Sequence, residues 1–246
     1  MKRVVVDGVW KKFSIGTKKK QRTLERLVSV FSGREPRKSF WALKGVSFDM
    51  DAGEIMGIIG SNGSGKSTLL RIIADIYDKD RGQVRTEGNI VSLIDMYTGL
   101  DPRLSARDNI YLCCLMFGLK QKDIKRRFRE ILDFAGLQKY ENTKLYQFSS
   151  GMISRLAFSI AIHSIVHENP EILLLDEVFA VGDENYVNKC MKKLNELLKS
   201  GATIIMVSHH LDIIGENCKR IIWMDGGKIV RDGGTEVLDE YVKVMG

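Results

Sequence analysis

Short apolar runs alternate along this chain with stretches whose apolar residues recur at helical spacing. Glu54 to Ile59 reads as a short buried strand, and Ser67 to Ile73 as a helix that starts directly after an intervening glycine-rich loop. Ile172 to Leu175 is a four-residue apolar run suited to a fully buried parallel strand, and it ends in two acids, Asp176 and Glu177. Ala202 to Val207 is another buried strand, closed by Ser208 and His209. Ile153 to Val166 is apolar nearly all round and predicts a buried helix. Ile124, Phe128, Ile131, Leu132 and Ala135 line one face of a helix that Gly136 stops, while Lys122, Lys125, Arg126, Arg127 and Arg129 cover its other side. Ile221 to Met224 and Lys228 to Val230 flank Asp225-Gly226-Gly227 as a hairpin, and a final helix runs from Glu236 to Val244. Nearer the start, Leu24, Leu27, Val28 and Phe31 fall on one face of a short amphipathic helix over residues 22–31, flanked by Lys18, Lys19, Lys20 and Arg22 and by Arg34, Arg37 and Lys38. Its spacing fits equally a helix on the protein's own core with a solvated charge run and a helix set against anionic headgroups or a transmembrane partner.

The 246 residues, 44% hydrophobic with three prolines, suffice for a large core in one α/β domain. No apolar stretch approaches the roughly 20 residues that span a bilayer, and no N-terminal segment resembles a secretory signal, so a cytosolic chain is expected. A net charge of +7 and a pI near 9.2 favour an anionic neighbour, either inner-leaflet lipid or nucleic acid, and charge does not choose between them. Cys113, Cys114, Cys190 and Cys218 have no paired C-x-x-C spacing, which suggests neither a zinc site nor a disulfide framework and leaves them as reduced packing thiols.

The loop between the first strand and helix is Gly60-Ser61-Asn62-Gly63-Ser64-Gly65-Lys66-Ser67-Thr68. Its glycines let consecutive backbone N–H groups turn toward phosphate oxygens, and the helix start adds a positive partial charge. Lys66 is expected to reach the β- and γ-phosphates of a nucleotide, and Ser67 to ligate Mg²⁺. Asp176 suits a Mg²⁺-bound water, and Glu177 can polarise an attacking water. Taken alone, those two acids fit an acidic turn equally well; Lys66 upstream favours chemistry. His209, just past the end of a strand, stands where ligands bind in open α/β sheets, although a lone histidine there is more often structural. His163, His167 and His210 have no such placement.

Phe148-Ser149-Ser150-Gly151-Met152 lies between the phosphate loop and the acidic strand. It resembles the L-S-G-G-Q signature of ATP-binding cassettes, matching at Ser149 and Gly151, with Ser150 and Met152 in place of the usual Gly and Gln. With Arg155-Leu156-Ala157-Phe158-Ser159 and Glu177-Val178-Phe179-Ala180-Val181-Gly182-Asp183, it is similar to one branch, the ATPase subunits of polysaccharide exporters serving O-antigen, capsular polysaccharide or teichoic acid. Trp41 to Phe48 also resembles the strand before the phosphate loop in this branch, so the resemblance covers nearly the whole chain.

The resemblance implies a P-loop NTPase core with a mostly parallel sheet, an antiparallel β subdomain and a helical insertion. Residues 1–95 and 167–246 would form the nucleotide-binding core and 96–166 the helical subdomain, with a partner helix docking near Met96 to Arg107. It implies ATP and Mg²⁺ as cofactors, hydrolysis through Glu177, a γ-phosphate contact from His209, and a D-loop at Asp183. Ser149 to Met152 would meet the ATP held by the second subunit of a homodimer. Where cassettes carry a Q-loop glutamine this chain has Asp95-Met96, so Asp95 is a candidate for the Mg²⁺ shell. Adenine would stack on Phe13, with Trp41 as runner-up. The implied partners are two polytopic transmembrane permease subunits, an anionic membrane surface at the cytoplasmic face of the inner membrane, and a lipid-linked polysaccharide as cargo. No C-terminal carbohydrate-recognition domain is expected after the last helix. The alternatives are a cassette for another cargo, such as a drug, lipid or peptide, and a soluble cassette acting on nucleic acid or the ribosome. The single phosphate loop and the lack of a heptad run weigh against the last, and no nucleic-acid partner is expected.

Overall fold

Strand alternation in β1 (Lys2–Ser14) buries Val4 and Val6 on one face and leaves Val5 between them half-buried; a bulge at Gly8, whose φ is +56°, then resets the phase so that Val9 is buried too. β2 (Ser39–Asp51) pairs antiparallel with it and contributes Leu43, Val46, Phe48 and Met50 to the same face. With β4 (Arg81–Thr86) these make a three-stranded antiparallel sheet in the order β2-β1-β4. The structure is a computed structural model in which residues 1–14, 39–94, 96–168, 170–176 and 184–245 are described. The amphipathic segment 22–31 lies outside the described residues.

The second sheet has six strands in the order β5-β6-β7-β3-β8-β9, namely β5 (Ile90–Leu93), β6 (Ile172–Asp176), β7 (Thr203–Val207), β3 (Ile55–Ile59), β8 (Arg220–Asp225) and β9 (Lys228–Gly233). All neighbours are parallel except β9, which returns antiparallel on β8. β6 and β7 are apolar without alternation because both faces of a parallel sheet are covered. Leu173, Leu175, Ile204 and Met206 pack on one side with α4 (Ser150–Glu168) and α5 (Glu184–Leu198), while Ile172, Leu174, Ile205 and Val207 pack on the other with the β1–β2 sheet and α1 (Lys66–Ile73). The expected mixture of a mostly parallel sheet and an antiparallel one is therefore present. Arg220 ties its parts together: its guanidinium makes two 2.7 Å bonds to Asp232 of β9 and reaches Asp49 O and Glu54. Those carboxylates, Asp232 foremost, raise its pKa.

A third core forms among α2 (Ala106–Met116), α3 (Gln121–Ala135) and the first half of α4. In α3 the buried residues are Ile124, Phe128, Ile131, Leu132 and Ala135, the face read from spacing, and Gly136 closes the helix at φ +67°. α4 starts at Ser150, three residues before its apolar run, because Ser149 caps it through the Met152 N–H at 3.2 Å. The helix then serves two cores, with Leu156 and Ile160 in the helical one and Phe158, Ala161, Ile162 and Ile165 against the sheet. α6 (Leu211–Asn217) and α7 (Glu236–Met245) complete the sheet's covering. Among the described residues no helix is long and apolar enough to cross a membrane.

All four cysteines are free and buried. Burial pushes the Cys218 thiol up to about 12 and Cys113 and Cys190 to about 11, and it raises Cys114 as well. Because the thiolate is the nucleophile, native protein at about pH 8 is expected to give no prompt reaction with a disulfide reagent, and all four thiols are expected to react once guanidinium unfolds it. A fast-reacting thiol in the native state would contradict this packing.

Candidate functional site

Ile55 to Ile59 enter the middle of the sheet between β7 and β8, and the chain then turns at Gly60 into α1. The turn takes conformations that side chains resist: φ is +146° at Gly60, +82° at Gly63 and +109° at Gly65. Two of these glycines are also needed for space. A Cβ on Gly60 would lie 2.1 Å from Met224 O, and one on Gly65 would lie 2.7 Å from Ala42 O; at Gly63 nothing comes within 4 Å. The loop is clasped from outside by the β8–β9 turn, where Gly227 donates its N–H to Ser64 O at 3.1 Å and accepts from Lys44 N–H at 2.8 Å.

No side chain caps the N-terminus of α1, so backbone N–H groups of Lys66, Ser67 and Thr68 remain to face an anion. Lys66 is almost fully buried and folds back over the loop, donating to Gly60 O at 2.7 Å and Ser61 O at 2.9 Å. Beside it opens a cleft of about 290 Å³ lined by Phe13, Phe40, Ala42, Asn62, Gly63, Gly65, Lys66, Ser67 and Thr68. Gly60, Ser61 and Ser64 shape the loop from outside that lining.

Asp176 ends β6, directly opposite Val207 of β7, and Val207 is opposite Ile58 of β3. This row of paired positions sets Asp176 and His209, which follows β7 by two residues, on the same C-terminal edge from which the loop departs. His209 is exposed there. Three of the elements singled out by sequence thus meet at one edge. Glu177, Asp183 and Asp95 lie outside the described residues.

Ser149, Ser150, Gly151 and Met152 do not join the cleft. They form the cap and first turn of α4, and a Cβ on Gly151 would meet nothing within 4 Å. Trp41, the second aromatic candidate, also stays out: its ring lies edge-on to Trp10 at 5.2 Å, with Lys12 and Arg81 over its faces. Phe13 does line the cleft, and so does Phe40, which the sequence reading passed over. The available signal was strand pairing, since the two phenylalanines are cross-strand partners.

Among the described residues no group of three His, Cys, Asp or Glu side chains gathers as a metal cage. Mg²⁺ in a phosphate site takes one or two protein oxygens and fills its shell with phosphate and water. Ser67 in the cleft and Asp176 on the adjoining edge are oxygen donors of that kind.

Comparison with known proteins agrees with this geometry. The sequence model of the ABC transporter family matches residues 43–180. The teichoic acids export ATP-binding protein TagH of Enterococcus faecalis is 42% identical over 219 residues, which is 89% of this chain and 47% of that protein. TagH of Lactococcus lactis is 38% identical over 99% of this chain and 51% of its own length, so the chain spans about half of these two relatives. The O-antigen export system ATP-binding protein RfbB of Klebsiella pneumoniae is 35% identical over 85% of this chain and 86% of its own. Among solved structures, the dimeric bacterial ABC transporter cassette MJ0796 superposes with a TM-score of 0.71 at 24% identity, covering 94% of this chain and 98% of that one.

Proposed function

Because the chain belongs to the ABC transporter family, we propose that it is the ATP-hydrolysing subunit of an exporter that drives a lipid-linked polysaccharide across the cytoplasmic membrane. The observation that carries the nucleotide reading is the shared edge, with a phosphate loop after β3, Asp176 at the end of β6 and His209 past β7. The cargo reading draws on the similarity to the teichoic acid and O-antigen proteins.

On this reading Lys66 exchanges its bonds to Gly60 O and Ser61 O for the β- and γ-phosphates, and the N–H groups at the start of α1 hold the remaining oxygens. Ser67 and Asp176 hold Mg²⁺, with Asp95 as a further candidate ligand; the ion would neutralise charge on the transferred phosphate. Glu177 polarises the attacking water and His209 contacts the γ-phosphate. Ser149 to Met152, outside their own chain's cleft and with Ser149 and Ser150 exposed, are assigned to the nucleotide of a second copy, and Asp183 to the seam between the copies. Hydrolysis then requires the homodimer. The division into a core of 1–95 and 167–246 and a helical unit of 96–166 is proposed as the mechanical one.

The dimer is proposed to drive two membrane-embedded permease subunits at the cytoplasmic face of the membrane. An apolar cleft of about 250 Å³ lined by Ile76, Ile94, Thr98, Met116 and Phe117 adjoins the segment from Met96 to Arg107, and Ile76 and Met116 are more than half exposed. A permease helix docked there would cover them.

Affinity capture of the Glu177→Gln chain from detergent-solubilised membranes of its own cells, with ATP present, tests the whole reading. A polytopic protein carrying lipid-linked sugar is the expected yield. A polytopic protein with another cargo would move the chain to a different transporter, and recovery of ribosomes or nucleic acid alone would overturn the export reading.

A further inference from the structure

The start of α4 is only partly packed. Ser150 is exposed, Gly151, Met152 and Ile153 are half-buried, and the first apolar side chain of this helix to be buried outright is Leu156. Two tyrosines from other parts of the chain secure it. Tyr97, in the turn after β5, shares a 2.7 Å hydrogen bond with Ser154 Oγ. Tyr186, in the first turn of α5, donates its hydroxyl to Arg155 O at 2.9 Å, and the Arg155 guanidinium lies 5.9 Å from its ring. Ser154 and Arg155 are consecutive, so both ties grip α4 at one level, a turn beyond Gly151. The helix itself needs neither bond. A carbonyl at the level of Arg155 already accepts from the N–H four residues on, and a helical serine can satisfy its hydroxyl on a carbonyl one turn back, as Ser164 does with Ile160 O. Ser154 bonds outward to Tyr97. The Tyr186 ring meets Phe134 at 5.7 Å and Phe158 at 6.4 Å, and burial raises the pKa of its phenol, so the hydroxyl stays a proton donor.

We infer that Tyr97 and Tyr186 are positioning residues that set the pose of the α4 start through Ser154 and Arg155, and with it the surface this chain offers to the nucleotide of a second copy. The inference rests on the two-copy reading above and adds to it the two side chains that aim the shared surface. Tyr97 follows Asp95 by two positions and Tyr186 follows Asp183 by three, so one tie comes from each of two segments assigned to the ATP site. Neither tyrosine lines the cleft beside Lys66, so losing a hydroxyl leaves that cleft's own grip on ATP intact. What it removes is preorganisation: a half-packed first turn with one tie fewer samples more orientations, and the second copy must restrict them when it docks.

Tyr97→Phe, Tyr186→Phe and the pair together, made in the Glu177→Gln chain, remove the hydroxyls and keep the rings. Two constants are measured on each: ATP affinity by titration at protein concentrations too low for dimerisation, and the ATP-dependent dimer constant by analytical ultracentrifugation. Each single variant is expected to weaken the dimer about fivefold and the double about twentyfold, with the ATP affinity of the monomer within about twofold throughout. Ser154→Ala is expected to weaken the dimer as Tyr97→Phe does, and combining those two adds nothing, because they remove the two halves of one bond. Two merely structural losses would add. An unchanged dimer constant in either single variant overturns the role of that tyrosine, and an equal fall in monomer ATP affinity overturns the inference by placing the effect in the cleft or the fold. Full additivity of Tyr97→Phe and Ser154→Ala overturns the Tyr97 tie. If the Glu177→Gln chain binds ATP and does not dimerise, the two-copy reading itself fails, an outcome distinct from these.

Discussion

Gly60→Ala is expected to abolish measurable ATP binding and to destabilise the fold by roughly 3 kcal/mol or more. The added Cβ would sit 2.1 Å from Met224 O and 2.9 Å from Ser64 Oγ. The nearer of these is a backbone atom of β8, so no rotamer change relieves the overlap; either the strand end or the loop must move. The conformation at +146° is itself unfavourable for alanine, and any relaxation displaces the carbonyl that Lys66 uses as its resting partner. Gly63→Ala supplies the control. Its φ of +82° strains an alanine, but open space surrounds the new methyl, so a cost of about 1 kcal/mol and a modest loss of affinity are expected. Denaturant unfolding and ATP titration of both variants check the contrast; equal effects would remove the packing argument and leave conformational strain alone.

Glu177→Gln is expected to lower ATP turnover by about two to four orders of magnitude with ATP affinity held within a few-fold. The amide keeps the size of the carboxylate while losing the basic oxygen that polarises water. Binding should survive because the groups assigned to hold the nucleotide, Lys66, Ser67 and the start of α1, are elsewhere. An enzyme that binds but does not hydrolyse is then expected to accumulate as a dimer with ATP present, visible by gel filtration as a shift that disappears when ATP is omitted. Phosphate release at the wild-type rate would take the water-polarising role away from Glu177; slow turnover with no dimer would take it away from the two-copy site.

The sequence was most informative where one physical requirement acted alone. The loop between β3 and α1 declares itself because phosphate binding and tight turning both demand glycine at fixed places, and the face of α3 because one side is buried and the other solvated. Where two requirements overlap, the pattern blurs. In α2, Ile110, Cys113 and Cys114 are buried while Leu112, Leu115 and Met116 are exposed, so apolar residues occupy both faces and periodicity does not single out the helix. β1 changes phase at Gly8, and β4 is largely exposed, so neither alternates cleanly. Phe40 was missed for a different reason: its place in the cleft follows from its pairing with a residue 27 positions away, which only the strand register shows. Glu177, Asp95 and Asp183 rest on sequence alone.

The clasp on the phosphate loop bears on how small a working piece of this protein can be made. Every motif from Gly60 to Glu177 lies within the stretch that the family model matches, residues 43–180. Yet both neighbours of β3, β7 and β8, come from beyond it, as does Gly227, whose N–H bonds to Ser64 O. A fragment cut at those bounds would keep the phosphate loop, Ser149 to Met152, Asp176 and Glu177, but lose His209 together with the two strands and the turn that hold the loop in shape. It would hold most of the parts without a fold, and the boundary of the catalytic unit has to be drawn by the hydrogen bonds that close the sheet.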